Sequence, residues 1–156
     1  MLGKLRASLV MRTLREFNSV EAADLSRAWL EVFGRDRQGM NTKAFMWHVF
    51  SGTRYPALEG EQALSEYSAQ ICCEFVVLSN GRDAAYLSDE RPDSRPFSDF
   101  YVFPPNMAWT MAFTHEEGWL GPYFAKHPLY SDLNLANAAR VKKMEEAAYA
   151  RSRGWH

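Results

Sequence analysis

The residues best suited to chemistry lie between Trp109 and Phe124, in the segment WTMAFTHEEGWLGPYF. There an alternating run, Ala108 to Thr114, leads into His115-Glu116-Glu117 and then a glycine-bounded turn. A strand end that delivers an imidazole and a carboxylate into a loop can carry a general acid or base. By strand parity His115 continues the face of Trp109, Met111 and Phe113, while Glu116 falls on the opposite face. The two cannot form a local dyad, so catalysis by either would need a partner such as His48 or Asp99. In the structural alternative, His115 donates to a backbone carbonyl and Glu116 anchors the turn through backbone N–H groups. One His and one Glu beside a turn fall short of a catalytic constellation. The expectation is therefore a structural corner with no catalytic residue, His115 and Glu116 being the acid/base alternative.

Other patterns are weaker still. His115-Glu116 begins like the zinc-protease H-E-x-x-H, but position 119 is Trp and the second ligand is missing. Asp89, Glu90, Asp93 and Asp99 are interspersed with Arg91 and Arg95, which reads as a solvated loop and not a calcium loop. There is no G-x-G-x-x-G, P-loop or G-x-S-x-G. Gly118-Trp119-Leu120-Gly121 has an apolar interior where a phosphate clamp needs amides and positive charge. His48 sits in the most apolar helical run, a place for a core or rim histidine. No cofactor and no metal are expected. Cys72 and Cys73 are sequence neighbours pointing to opposite sides, poorly placed to bridge, and read as structural thiols of a reducing compartment.

Charge is unevenly spread. Residues 1–15 carry four bases and no acid, residues 140–156 five bases against two acids, and residues 16–139 nine bases against 17 acids. Such a body steers basic partners. With 10 Phe, 7 Tyr and 5 Trp in 156 residues, the rings must fill the core, the surface or both. No run approaches the roughly 18 apolar residues of a membrane span, and Arg12 and Arg15 interrupt the N-terminal apolar run, so no membrane association is expected. Basic ends without aromatic interleaving make nucleic acid an unlikely partner.

The elements that must hold these residues come from periodicity. Leu5, Leu9, Leu14 and Phe17 allow a helix or arm over residues 1–17. Asn18 and Glu21 form a capping-box pattern ahead of Leu25, Ala28, Trp29, Val32 and Phe33, with Gly34 as the stop. Thr42 caps a helix through Phe50, and another helix spans Leu58 to Ala69. The period then changes. Ile71–Leu78, Ala84–Leu87, Phe100–Phe103 and Ala108–Thr114 read as strands, with Asn80-Gly81 as a turn. Large residues alternating with small ones in the fourth suggest a half-covered sheet. A C-terminal helix covers residues 132–153. The expectation is a single α+β domain over residues 1–156. Its N-terminal helices lie on the large-residue face of a four-stranded antiparallel meander, followed by the C-terminal helix.

Trp47-His48, Phe50-Ser51, Leu58-Glu59 and Gln62-Ala63, then Trp109-Thr110, Thr114-His115-Glu116 and Gly121-Pro122-Tyr123-Phe124, resemble a small bacterial family of domains of unknown function ending in W-T…T-H-E…G-P-Y-F. The resemblance covers roughly residues 22–124. It implies a bacterial, cytoplasmic α+β protein with no established activity, and it carries over no catalytic residue. The missing catalytic patterns, the acidic body and the surplus of rings favour a non-enzymatic protein-binding module; analogy with other small acidic bacterial α+β proteins extends this to an immunity-type inhibitor facing a basic toxin domain. Glu116, Glu117, Trp119 and Tyr123 are the expected contact residues. The alternatives are a small enzyme using His115 or Glu116, and an accessory subunit whose terminal helix docks on another copy.

Overall fold

Strand-forming runs dominate the middle of the chain, and the computed structural model, which describes residues 13–93, 99–115 and 120–154, joins them in one sheet. The elements are β1 (Thr13–Phe17), α1 (Ser19–Phe33), α2 (His48–Ser51), β2 (Leu58–Glu59), α3 (Glu61–Ala69), β3 (Phe75–Ser79), β4 (Ala85–Ser88), β5 (Phe100–Phe103), β6 (Trp109–Phe113), β7 (Tyr123–Lys126) and α4 (Tyr130–Ser152). The sheet order is β1-β4-β3-β5-β6-β7-β2, so β1 and β2 are the edge strands. Every neighbouring pair is antiparallel.

The four-stranded meander is thus the centre of a seven-stranded sheet. Thr13–Phe17, expected as the end of a helix, is extended and pairs with β4. The rest of that proposed helix lies outside the described residues. β7 follows Pro122 and is short, and β2 has two residues, so neither shows a readable alternation.

Both faces of the sheet are covered. Trp29, Leu30 and Phe33 of α1, with Met46, Trp47, Val49 and Phe50, pack on Val76, Leu78, Tyr101, Phe103, Ala112 and Ala125. Ala63 and Tyr67 of α3, joined by Tyr130 and Leu133 of α4, pack on Phe75, Val77, Phe100, Val102, Trp109, Met111, Phe113 and Phe124. The helix α1 therefore lies on the small-residue face of β6 and not, as expected, on the large one. Ala112 and Thr110 leave the depth that its rings need, and the Trp29 indole donates to Thr110 Oγ1 at 2.9 Å. Each fully buried large side chain contributes about 1.5–3 kcal/mol. Trp29, Trp47 and Trp109 are at most 1% exposed.

The helix α1 begins as its sequence indicates. Asn18 Oδ1 accepts from Glu21 N at 2.8 Å, and Glu21 Oε1 accepts from Asn18 N at 3.0 Å. Residues 42–47, by contrast, form turns, and helix appears only at His48.

Candidate functional site

Strand register builds the site. Phe100 of β5 faces Phe113 of β6 across an antiparallel pair, so Asp99, just before β5, comes beside the chain leaving β6. Asp99 Oδ1 accepts the His115 backbone N–H at 3.0 Å. His115 Nδ1 lies 3.0 Å from Oδ1 and 2.8 Å from Oδ2. A carboxylate can only accept, so the ring is held with its proton on Nδ1. A third donor reaches Oδ1 from the other direction, the Trp47 indole N–H at 3.1 Å. The Asp99 backbone carbonyl accepts from Asn80 N at 3.1 Å. The Asp99 side chain is 9% exposed and that of His115 is 41% exposed.

The segment carrying Trp47 is fixed by a second set of polar groups. Asn80 Oδ1 accepts from Met46 N at 3.3 Å and from the Tyr101 hydroxyl at 2.7 Å, while Asn80 Nδ2 donates to Ala44 O at 2.5 Å. Tyr101 Oη accepts from Trp47 N at 3.0 Å, and Arg82 donates to Thr42 O. These bonds use the amides and carbonyls that a helix over residues 42–47 would pair internally, which is why the expected helix is confined to α2. Burial pushes the Tyr101 phenol well above its ordinary pKa, so it remains a donor to Asn80 and an acceptor for Trp47.

Rings tile this framework. The His115 ring lies 5.2 Å from that of Phe45 and 6.4 Å from that of Trp47, between centroids. His48 meets Trp47 edge-on at 4.7 Å and Phe45 at 5.6 Å, with its Nδ1 2.9 Å from Asn41 O. Phe45, His48 and His115 are all partly accessible, whereas Trp47 beneath them is 1% exposed. The corner itself closes through Thr114, whose hydroxyl donates to Leu120 O at 2.5 Å. Gly121 adopts φ +88°, where an added Cβ would stand 2.9 Å from Thr114 Oγ1.

Several sequence expectations change here. β6 ends at Phe113, so parity no longer governs His115: its ring turns to the Phe45 and Trp47 side, opposite Trp109, Met111 and Phe113. Where a backbone carbonyl was the expected partner, His115 Nδ1 meets the Asp99 carboxylate. Asp99 is one of the two partners that the sequence offered, and the register brings it in. Tyr123 is 3% exposed and stacks on Trp47 at 6.1 Å, so its ring is a core group and presents no surface to a partner. Glu116, Glu117 and Trp119 lie outside the described residues. Asn80, Tyr101 and Trp47 were missed as site residues. Asn80-Gly81 read only as a turn, and the long-range bonds of Asn80 leave no local signature.

Cys72 donates to Glu74 O at 2.8 Å, and burial pushes its thiol up to about 11, which keeps it protonated and weakly nucleophilic. No group of three His, Cys, Asp or Glu side chains suited to a metal ion occurs among the described residues. Nor is any helix among them long and apolar enough to cross a membrane. Chemically, Asp99 and His115 form an oriented carboxylate–imidazole pair, with the carboxylate also tied to Trp47 and to the His115 amide.

A family model described as a domain of unknown function, DUF4275, matches residues 15–124, well over half of the chain. The chain belongs to this family. The DUF4275 region starts in β1 and ends in β7, so it takes in Asp99, His115, Trp47 and Asn80 and leaves the second half of β7 and all of α4 beyond it. Its start lies a little before the position near residue 22 that the sequence resemblance suggested. Neither a search of curated proteins nor one of solved structures returned a match.

Proposed function

We propose that the protein is a non-enzymatic protein-binding module whose contact surface centres on the Phe45, His48 and His115 rings. The observation that carries this reading is the engagement of Asp99. One nearly buried carboxylate accepts the His115 amide, the His115 ring and the Trp47 indole, and so clamps a partly exposed aromatic tile to the sheet end. Rings already immobilised before contact lose little conformational entropy on binding, which is how aromatic anchors come to dominate interfaces. The acidic excess of residues 16–139 supports a basic partner, whose capture it would accelerate. Within that class the reading is an immunity-type inhibitor that covers a basic toxin domain.

The test is calorimetric titration with the basic protein encoded beside this chain's own gene, at low and at physiological salt. Binding should weaken with salt and fall tenfold or more in Phe45→Ala, with the fold intact by circular dichroism. Equal affinity for wild type and Phe45→Ala would refute the surface, and absence of binding at both salts would refute the toxin-facing reading.

One observation favours a second reading. An imidazole with Nδ1 2.8 Å from a nearly buried carboxylate is also how an acid–base histidine is oriented. On that reading His115→Gln abolishes a turnover while leaving partner affinity unchanged.

A further inference from the structure

The helix α4 lies outside the family match and buries none of its residues completely. Its first half is tied to the body: the Tyr130 hydroxyl donates to Gln70 Oε1 at 2.9 Å, Asn106 Nδ2 donates to Leu133 O at 3.1 Å, and Arg140 pairs with Glu74 at 2.6 Å. The half-buried positions Leu133, Asn134, Asn137, Ala138 and Val141 mark the side turned to the body. Along the flank next to that side runs a different row, Leu135, Ala139, Lys142, Glu146 and Tyr149, all exposed. Their spacing of four and three residues is that of a coiled-coil seam. Leu135 is 70% exposed and Tyr149 57%, and Lys142, Glu146 and Tyr149 line a shallow concavity.

The order of residues along this row says what fits it. The stretch Lys142-Lys143-Met144-Glu145-Glu146 is antisymmetric in charge about Met144. None of its four charged side chains forms an ion pair or hydrogen bond within the described residues. Two such helices laid antiparallel, with a two-fold axis at the level of Met144, bring each position to its mirror-numbered mate. Lys142 then meets Glu146 of the second copy, twice over. Tyr149, the largest side chain of the row, meets Ala139, among the smallest, also twice. Lys143 and Glu145 flank the seam with the same complementarity. A parallel pairing would instead set Lys on Lys, Glu on Glu and Tyr on Tyr. The seam is thus self-complementary in one orientation, the condition for an isologous two-fold interface.

We infer that this exposed flank of α4 is a homodimer interface, with a second copy of this chain bound antiparallel about Met144. The overlapping segment, residues 135–153, is about 28 Å long at 1.5 Å per residue. A single helix pair of that length falls short of the roughly 1,600 Å² of a standard interface, so the dimer is weak and concentration-dependent. The Phe45, His48 and His115 rings lie on the opposite face of the sheet from α4, so the dimer leaves two such surfaces open and does not depend on their function.

Sedimentation equilibrium of the full chain over micromolar to millimolar concentrations tests this, with circular dichroism to verify the helix in every variant. The wild type should dimerise. Lys142→Glu and Glu146→Lys should each weaken the dimer tenfold or more, because each sets like charges together across the axis. The double variant carrying both should restore it, since the exchange regenerates the same two pairs. A monomer throughout the range overturns the inference, as does a dimer indifferent to either single substitution or not restored by the double one.

Discussion

Asp99→Ala is the sharpest test of how the sheet-end site is held. The substitution removes the acceptor of three donors, and their surroundings set the size of the effect. Trp47 is 1% exposed, so its indole N–H cannot recover a bond to water. An orphaned buried donor costs about 1–3 kcal/mol. His115 is 41% exposed, and its ring and amide regain water, adding about 0–1 kcal/mol. The expected loss is therefore about 1–4 kcal/mol, or roughly 2–16 °C in Tm for a chain of this length. Urea unfolding followed by far-ultraviolet circular dichroism measures it without depending on tryptophan emission. The assignment to Trp47 is checked by a double-mutant cycle with Trp47→Phe, which deletes the donor along with part of the ring. If the indole bond dominates, Asp99→Ala should cost at least about 1 kcal/mol less in the Trp47→Phe background. A cost for Asp99→Ala below about 0.5 kcal/mol, or strictly additive substitutions, would refute the reasoning.

Two further outcomes follow from the buried polar groups. Thr110→Val should cost about 1–3 kcal/mol, because Trp29 and Thr110 are both fully buried and the indole would lose the hydroxyl that accepts from it. Thr110→Ser should cost less, and the two are compared by urea midpoint. Stability should also fall as pH rises above about 9. Burial raises the Cys72 thiol from 9.0 to about 11 and lifts the Tyr67 and Tyr101 phenols above their ordinary range. The folded chain keeps protons that the unfolded chain releases, so the stabilisation is whole below pH 9 and is lost through the folded pKa values. Urea midpoints at pH 8 and pH 10.5 measure the slope, and Cys72→Ala should make it shallower.

How much the sequence discloses depends on whether a feature is local. The start of α1 was readable because Asn18 and Glu21 satisfy each other within one turn. The strand Phe100–Phe103 was readable because a run of β-formers sits between a charged loop and a proline pair. The strand β1 was not, since its partner is β4, some 70 residues on, and nothing local to Thr13–Phe17 shows that pairing. Residues 42–47 carry an apolar helical pattern that Asn80 and Tyr101 override from the sheet. The site divides in the same way. His115 and Asp99 were visible as candidates by residue type, but only the β5–β6 register joins them. Trp47 read as core, which it is, and its second use as a donor to Asp99 depends on where the 42–47 segment is tied.

The two edge strands have a consequence for self-assembly into fibrils. A sheet grows by recruiting a foreign strand along an open border, and growth requires a long, uncharged template. At one border β2 offers two residues, too few to seed a ladder. At the other, Arg15 and Glu16 stand exposed on β1, so an incoming copy would have to desolvate charge before gaining a single backbone bond. Stacking into cross-β filaments is disfavoured at both described borders of the sheet, by shortness at one and by charge at the other.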